Sequence, residues 1–133
     1  MSIAAMRSAL GDNLRTIAGL RVSEEMPDQI SPPIAVVSLG AIDYHGAMKG
    51  GLTTYQFTVQ VVVGRMSERN AQRKLDAYAF PTGASSVPSA IESERTLNGS
   101  CQDLIVTGMP NIGSLTVNEN QYLAAEFAIT VYA

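Results

Sequence analysis

The stretch Thr53-Thr54-Tyr55-Gln56-Phe57-Thr58-Val59-Gln60-Val61-Val62-Val63 decides how this chain is read. Tyr55, Phe57, Val59, Val61 and Val63 alternate with Thr54, Gln56, Thr58, Gln60 and Val62. Successive side chains of a strand point to opposite faces, so this period of two predicts a strand with one apolar and one mostly polar face. Tyr122 to Tyr132 repeats the pattern, with Leu123, Ala125, Phe127, Ile129 and Val131 on one side and Asn118-Glu119-Asn120 as the turn before it.

Downstream, Gly64-Arg65-Met66 closes the first strand and Ser67 is placed to cap a helix from Glu68 to about Ala79. Ala71, Leu75 and Tyr78 share one side of it. Phe80-Pro81-Thr82-Gly83 breaks the helix, and Ser85 or Ser86 starts a short third one with Val87, Ala90 and Ile91 inward. Pro88 is tolerated there because a first helical turn needs no backbone donor. Leu104-Ile105-Val106 and Ile112 predict a strand interrupted at Gly108-Met109-Pro110.

Upstream, Ile3, Met6, Leu10, Leu14 and Ile17 recur at spacings of three and four, the signature of an amphipathic helix. Ser2 is its candidate cap and Gly19 its left-handed stop, just after Ile17. Leu20-Arg21-Val22 is a short strand candidate, and Ile34-Ala35-Val36-Val37 a buried one. Between them, Pro27, Pro32 and Pro33 exclude a central strand. Asp43 to Thr53, with Gly46, Gly50 and Gly51, is expected to be an exposed loop. The element order α, β, β, β, α, α, β, β groups the strands in runs. That predicts an α+β fold: an antiparallel or mixed sheet with the N-terminal helix and two further helices packed on it.

The bulk numbers bound the function. One domain spanning 1–133 suits a chain of 133 residues, and 46% hydrophobic against 16% charged residues is globular composition. The net charge is −3 and the basic residues are scattered, so there is no stripe to displace counterions from a nucleic acid. No segment approaches the roughly 20 apolar residues that span a bilayer, and the N-terminus lacks a secretory pattern. These features predict a soluble protein with no membrane partner.

Chemistry is hard to assemble from these residues. His45 is the only histidine and Cys101 the only cysteine, so a zinc ligand set cannot be completed. A Cys–His nucleophilic pair would need His45 and Cys101 to meet with a third group orienting the ring, and nothing in the sequence indicates it. Glu92, Glu94 and Asp103 show no calcium-loop spacing. Lys49 among Gly46, Gly50 and Gly51 lacks the Gly-Lys-Ser/Thr ending before a helix that a phosphate loop requires. No catalytic, cofactor or metal residue is expected. Arg65, Arg69, Arg73 and Lys74, at helical spacing, read either as a solvated helix face or as a contact for an acidic partner.

In order and spacing, the segments resemble the tail-terminator family of long-tailed, non-contractile bacteriophages, of the type found in actinobacterial phages and similar to the lambda tail terminator. The carrying residues are Ile17-Ala18-Gly19-Leu20-Arg21-Val22, Met26-Pro27-Asp28, Pro32-Pro33-Ile34-Ala35-Val36-Val37, Tyr55-Gln56-Phe57-Thr58-Val59, Val63-Gly64-Arg65, Ala71-Gln72-Arg73-Lys74-Leu75-Asp76-Ala77-Tyr78, Ser86-Val87, Arg95-Thr96-Leu97 and Tyr122-Leu123-Ala124-Ala125-Glu126-Phe127. The resemblance implies a hexameric ring that caps the tail tube, stops polymerisation of the major tail protein and presents the surface that joins the head connector. It further implies a virion structural protein of the head–tail interface, present in the host cytoplasm during assembly. DNA would pass through the ring without sequence-specific binding, and nothing would be catalysed. On this reading the loop residues His45, Met48, Lys49, Gly50 and Gly51 and the basic residues Arg65, Arg69 and Arg73 are the expected contacts. A head-closure or tail-completion connector of the same virion is the nearest alternative, and a small-molecule-binding α+β domain a more distant one.

Overall fold

The computed structural model describes residues 3–24, 32–44, 53–65, 69–97, 99, 101–117 and 119–133. It is an α+β domain: a five-stranded mixed sheet and three helices. Three of the strands fall in the first half of the chain: β1 (Arg21–Ser23), β2 (Ile34–Asp43) and β3 (Thr54–Arg65). The helices are α1 (Ile3–Leu14), α2 (Ala71–Ala79) and α3 (Val87–Ile91), and the chain ends in β4 (Asp103–Val117) and β5 (Asn120–Tyr132). The strand order across the sheet is β1-β2-β3-β5-β4. Only β1 with β2 is parallel, and the other three pairs are antiparallel.

The alternation in β3 holds. Phe57, Val59, Val61 and Val63 are fully buried on the helix side, joined by Leu123, Ala125, Phe127, Ile129 and Val131 from β5. Phe57 lies opposite Ile129 and Phe127 opposite Val59, so each aromatic ring sits beside a β-branched neighbour at the sheet centre. Burying one such ring stabilises the fold by about 1.5–3 kcal/mol. α1 packs on β1, β2 and α3, while α2 packs on β3, β5 and α3. Ala71, Leu75 and Tyr78 of α2 and Val87, Ala90 and Ile91 of α3 face the core as their spacing requires.

Several boundaries differ from the sequence expectation. α1 ends at Leu14, three residues before Ile17. Thr16 and Ile17 bond back only three residues, to the carbonyls of Asn13 and Leu14, which tightens the chain into turns. Ile17 still reaches the core at 3% exposure, and Gly19 takes the positive φ of 81° that turns the chain toward β1. Ser2, expected as the cap, lies outside the described residues.

β2 continues well past Val37, to Asp43, across a bulge at Gly40, and Thr53 pairs with Ala133 through two backbone hydrogen bonds. The connection expected from Asp43 to Thr53 is therefore shorter at both ends. β3 runs through Gly64 and Arg65 instead of closing there, because a bulge after Val62 lets them pair with Leu123 and Tyr122. α2 begins at Ala71, with Asn70 at its N-cap and no side-chain cap bond; Ser67 and Glu68 lie outside the described residues. Ser86 caps α3: its Oγ accepts from the Ser89 N–H and donates to the Phe80 carbonyl. Finally, β4 absorbs Gly108-Met109-Pro110 as bulges within one strand at the sheet edge, where proline is tolerated.

Candidate assembly surfaces

The helices cover one face of the sheet and leave the other open. Its rows can be followed by register: Val36–Gln60–Glu126–Asn111, then Ser38–Thr58–Ala128–Gly108. Glu126 is the only charged residue in these rows, and it accepts a hydrogen bond of 3.2 Å from Asn111 Nδ2. At the β1 end, Ile34, Val62, Tyr122 and Ala124 form a separate small apolar cluster with Leu115 against it. A shallow hollow of about 210 Å³ lies beside it, lined by Gln60, Asn111, Ser114, Ala124 and Glu126 among others. Sequence reasoning missed this cluster. Its signal was there: Val61-Val62-Val63 and Leu123-Ala124-Ala125 are runs in which both faces are apolar.

Arg65, Arg69 and Arg73 are all exposed, strung from the end of β3 to the first turn of α2. Among the described residues no ion pair neutralises them. Arg65 lies in register with Tyr122, so the basic group borders the small apolar cluster. His45, Met48, Lys49, Gly50 and Gly51 lie outside the described residues. Tyr44, just before them, is 64% exposed, as is Phe80 at 61% after α2.

The two sheet edges are treated differently by the chain. At the β4 edge, Glu92 Oε2 accepts the Val106 N–H at 3.0 Å. Arg95 donates two hydrogen bonds to Asp103, of 2.8 and 3.2 Å, and Thr96 donates from its N–H and Oγ1 to Glu94. The Arg95 hydrogen bonds hold the Asp103 carboxyl below its usual range, and the Thr96 hydrogen bonds do the same for Glu94. Glu92 thus occupies one edge donor of β4 at Val106, and the Arg95–Asp103 pair places charge at the strand's start. At the opposite edge, β1 pairs only with Ile34 to Val36 of β2, and a groove of about 360 Å³ continues beyond it.

Cys101 is 5% exposed, and burial pushes its thiol pKa up; its Sγ contacts the Arg95 carbonyl at 3.4 Å. That environment disfavours the thiolate a nucleophile needs. Among the described residues no group of three or more His, Cys, Asp and Glu side chains is arranged to hold a metal ion, and no helix is long and apolar enough to cross a membrane. Compared with known proteins, the chain matches no family model and no curated protein.

Proposed function

We propose that this chain is a ring-forming virion assembly protein, specifically a phage tail terminator that works with copies of itself and carries out no catalysis. The observation that carries the reading is the open sheet. Helices cover one face only, so each copy offers an open face, with Glu126 the only charged residue of its two central rows, and two dissimilar edges. Dissimilar surfaces on one subunit support head-to-tail contacts, and such contacts give a ring when the rotation closes. The order of segments resembling tail terminators supplies the specific role.

In this role the ring sits on the tail tube, meets the major tail protein on one side and the head-closure connector on the other, and lets DNA pass without reading it. The exposed Arg65, Arg69 and Arg73 supply a basic surface for an acidic neighbour. The protein resides in the virion at the head–tail interface, after assembly in the host cytoplasm.

A tube-polymerisation assay tests the role. Purified major tail protein is allowed to polymerise with and without this chain, and tube lengths are measured. The proposal expects growth to stop when the chain is added. Unchanged growth, with binding instead to portal-bearing heads, would reassign it to the head-closure class.

A further inference from the structure

We propose that the groove beside β2 receives the second half of β4, Asn111–Val117, from another copy of this chain. The inference rests on the ring reading and names the surface that closes the ring.

The receiving side is the edge of β2 beyond β1. β1 ends at Ser23, and among the described residues no strand pairs with Val37 to Ile42 on that side of β2. The groove there is lined by Arg7, Glu24, Val36 to Leu39 and Gln60, so it follows the edge of β2 beyond β1, from Arg7 of α1 on one side to Gln60 of the open face on the other. Arg7 carries a second, independent sign. Its Nε–H is buried and has no acceptor among the described residues. Buried donors are nearly always paired, and an orphan donor favours any arrangement that supplies an acceptor. A backbone carbonyl of an incoming strand is the acceptor this position lacks.

The entering side is selected by what guards β4. Glu92 and the Arg95–Asp103 pair occupy the edge over Asp103 to Val106. From Asn111 to Val117 the strand carries no charged residue, and Ile112 is 56% exposed. Edges that must stay single are commonly guarded by lysine or other charges; this half has none.

The directions fit as well. Three successive antiparallel pairings make β4 run opposite to β2, so a copy docked in the same orientation presents β4 antiparallel to its neighbour's β2. Asn111 shares a row with Val36, whereas Ile42 shares one with Leu104. The two half-edges therefore lie at different heights, and joining them staggers each copy along the strands. Stagger is what a sheet needs to close into a ring instead of extending as a flat ribbon.

Hydrogen exchange on the full chain, free and assembled on tail tubes, tests this. The expected result is about tenfold or greater slowing of amides in 37–42 and 111–117 on assembly. Ile112→Lys should abolish assembly while leaving the thermal transition of the free chain unchanged. A ring in which both segments exchange as they do in the free chain would overturn the edge-to-edge contact and leave the ring reading standing. Absence of any assembly, free or with tubes, would overturn both.

Discussion

The carboxylate of Glu92, at the end of α3, accepts the backbone N–H of Val106 at 3.0 Å, so a helix terminus closes part of the sheet's edge. The bond spans 14 residues and turns one edge donor of β4 away from other chains. It explains why a strand of 15 residues at a sheet edge is guarded in its first half only.

Removing that acceptor should therefore be visible. Glu92→Ala is expected to lower stability by about 1–2 kcal/mol, the range for losing a partly buried, charge-assisted hydrogen bond. Urea denaturation measures it, and Glu92→Gln should recover part of the loss because its amide oxygen still accepts.

Asn13 ties α1 to the chain after α3. Its Nδ2 donates to the carbonyls of Ile91 at 2.9 Å and Glu94 at 3.1 Å, and the residue is 7% exposed. Asn13→Leu leaves two carbonyls without this donor, one of them in a buried contact. The expected destabilisation is about 1–3 kcal/mol. A change below about 0.5 kcal/mol, typical of a surface site, would show that the tie contributes little.

Leu97 is fully buried although its φ is +50°, a region disfavoured for residues with a Cβ. Burial outweighs the backbone cost there. Leu97→Ala keeps that cost and removes the packing, so a loss of about 2–5 kcal/mol is expected by chemical denaturation.

The Arg95–Asp103 pair sets a direction for pH dependence. The folded-state pKa of Asp103 lies below its unfolded value, chiefly through the Arg95 hydrogen bonds. Its contribution is therefore present at pH above the ordinary carboxylate range and is lost as pH falls through the lowered folded value. Both side chains are about half exposed, so the effect is small and screened by salt. Asp103→Asn should be less stable than the parent at neutral pH, and the gap should close in acid; a gap that widens there would contradict this assignment.

Much of the fold was legible because the strongest patterns are those of the core strands. β3 from Phe57 to Val61 and β5 from Ala125 to Val131 are buried on one face and partly solvated on the other, so their side chains alternate there. The ends of elements were less legible. α1 stops early because Asn13 turns its side chain to α3 and Thr16 bonds back to the Asn13 carbonyl, a competition that a helical spacing of apolar residues does not register. β2 extends to Asp43 because β3 offers it a partner across the bulge at Gly40, which is a tertiary cause. Of the expected contact residues, Arg65, Arg69 and Arg73 are exposed, but Arg65 ends β3 and only Arg73 lies on α2, so the three do not form the single helix face that their spacing suggested. The buried Nε–H of Arg7, which has no acceptor among the described residues, and the Glu92 clasp were invisible because both depend on segments distant in sequence.

The most direct measurement is negative-stain imaging of tail tubes mixed with the purified chain, with the mass of the free protein followed by light scattering. A tail terminator gives a single ring of this chain capping one end of each tube. Tubes left bare, with the chain monomeric throughout or bound only to portal-bearing heads, would contradict it.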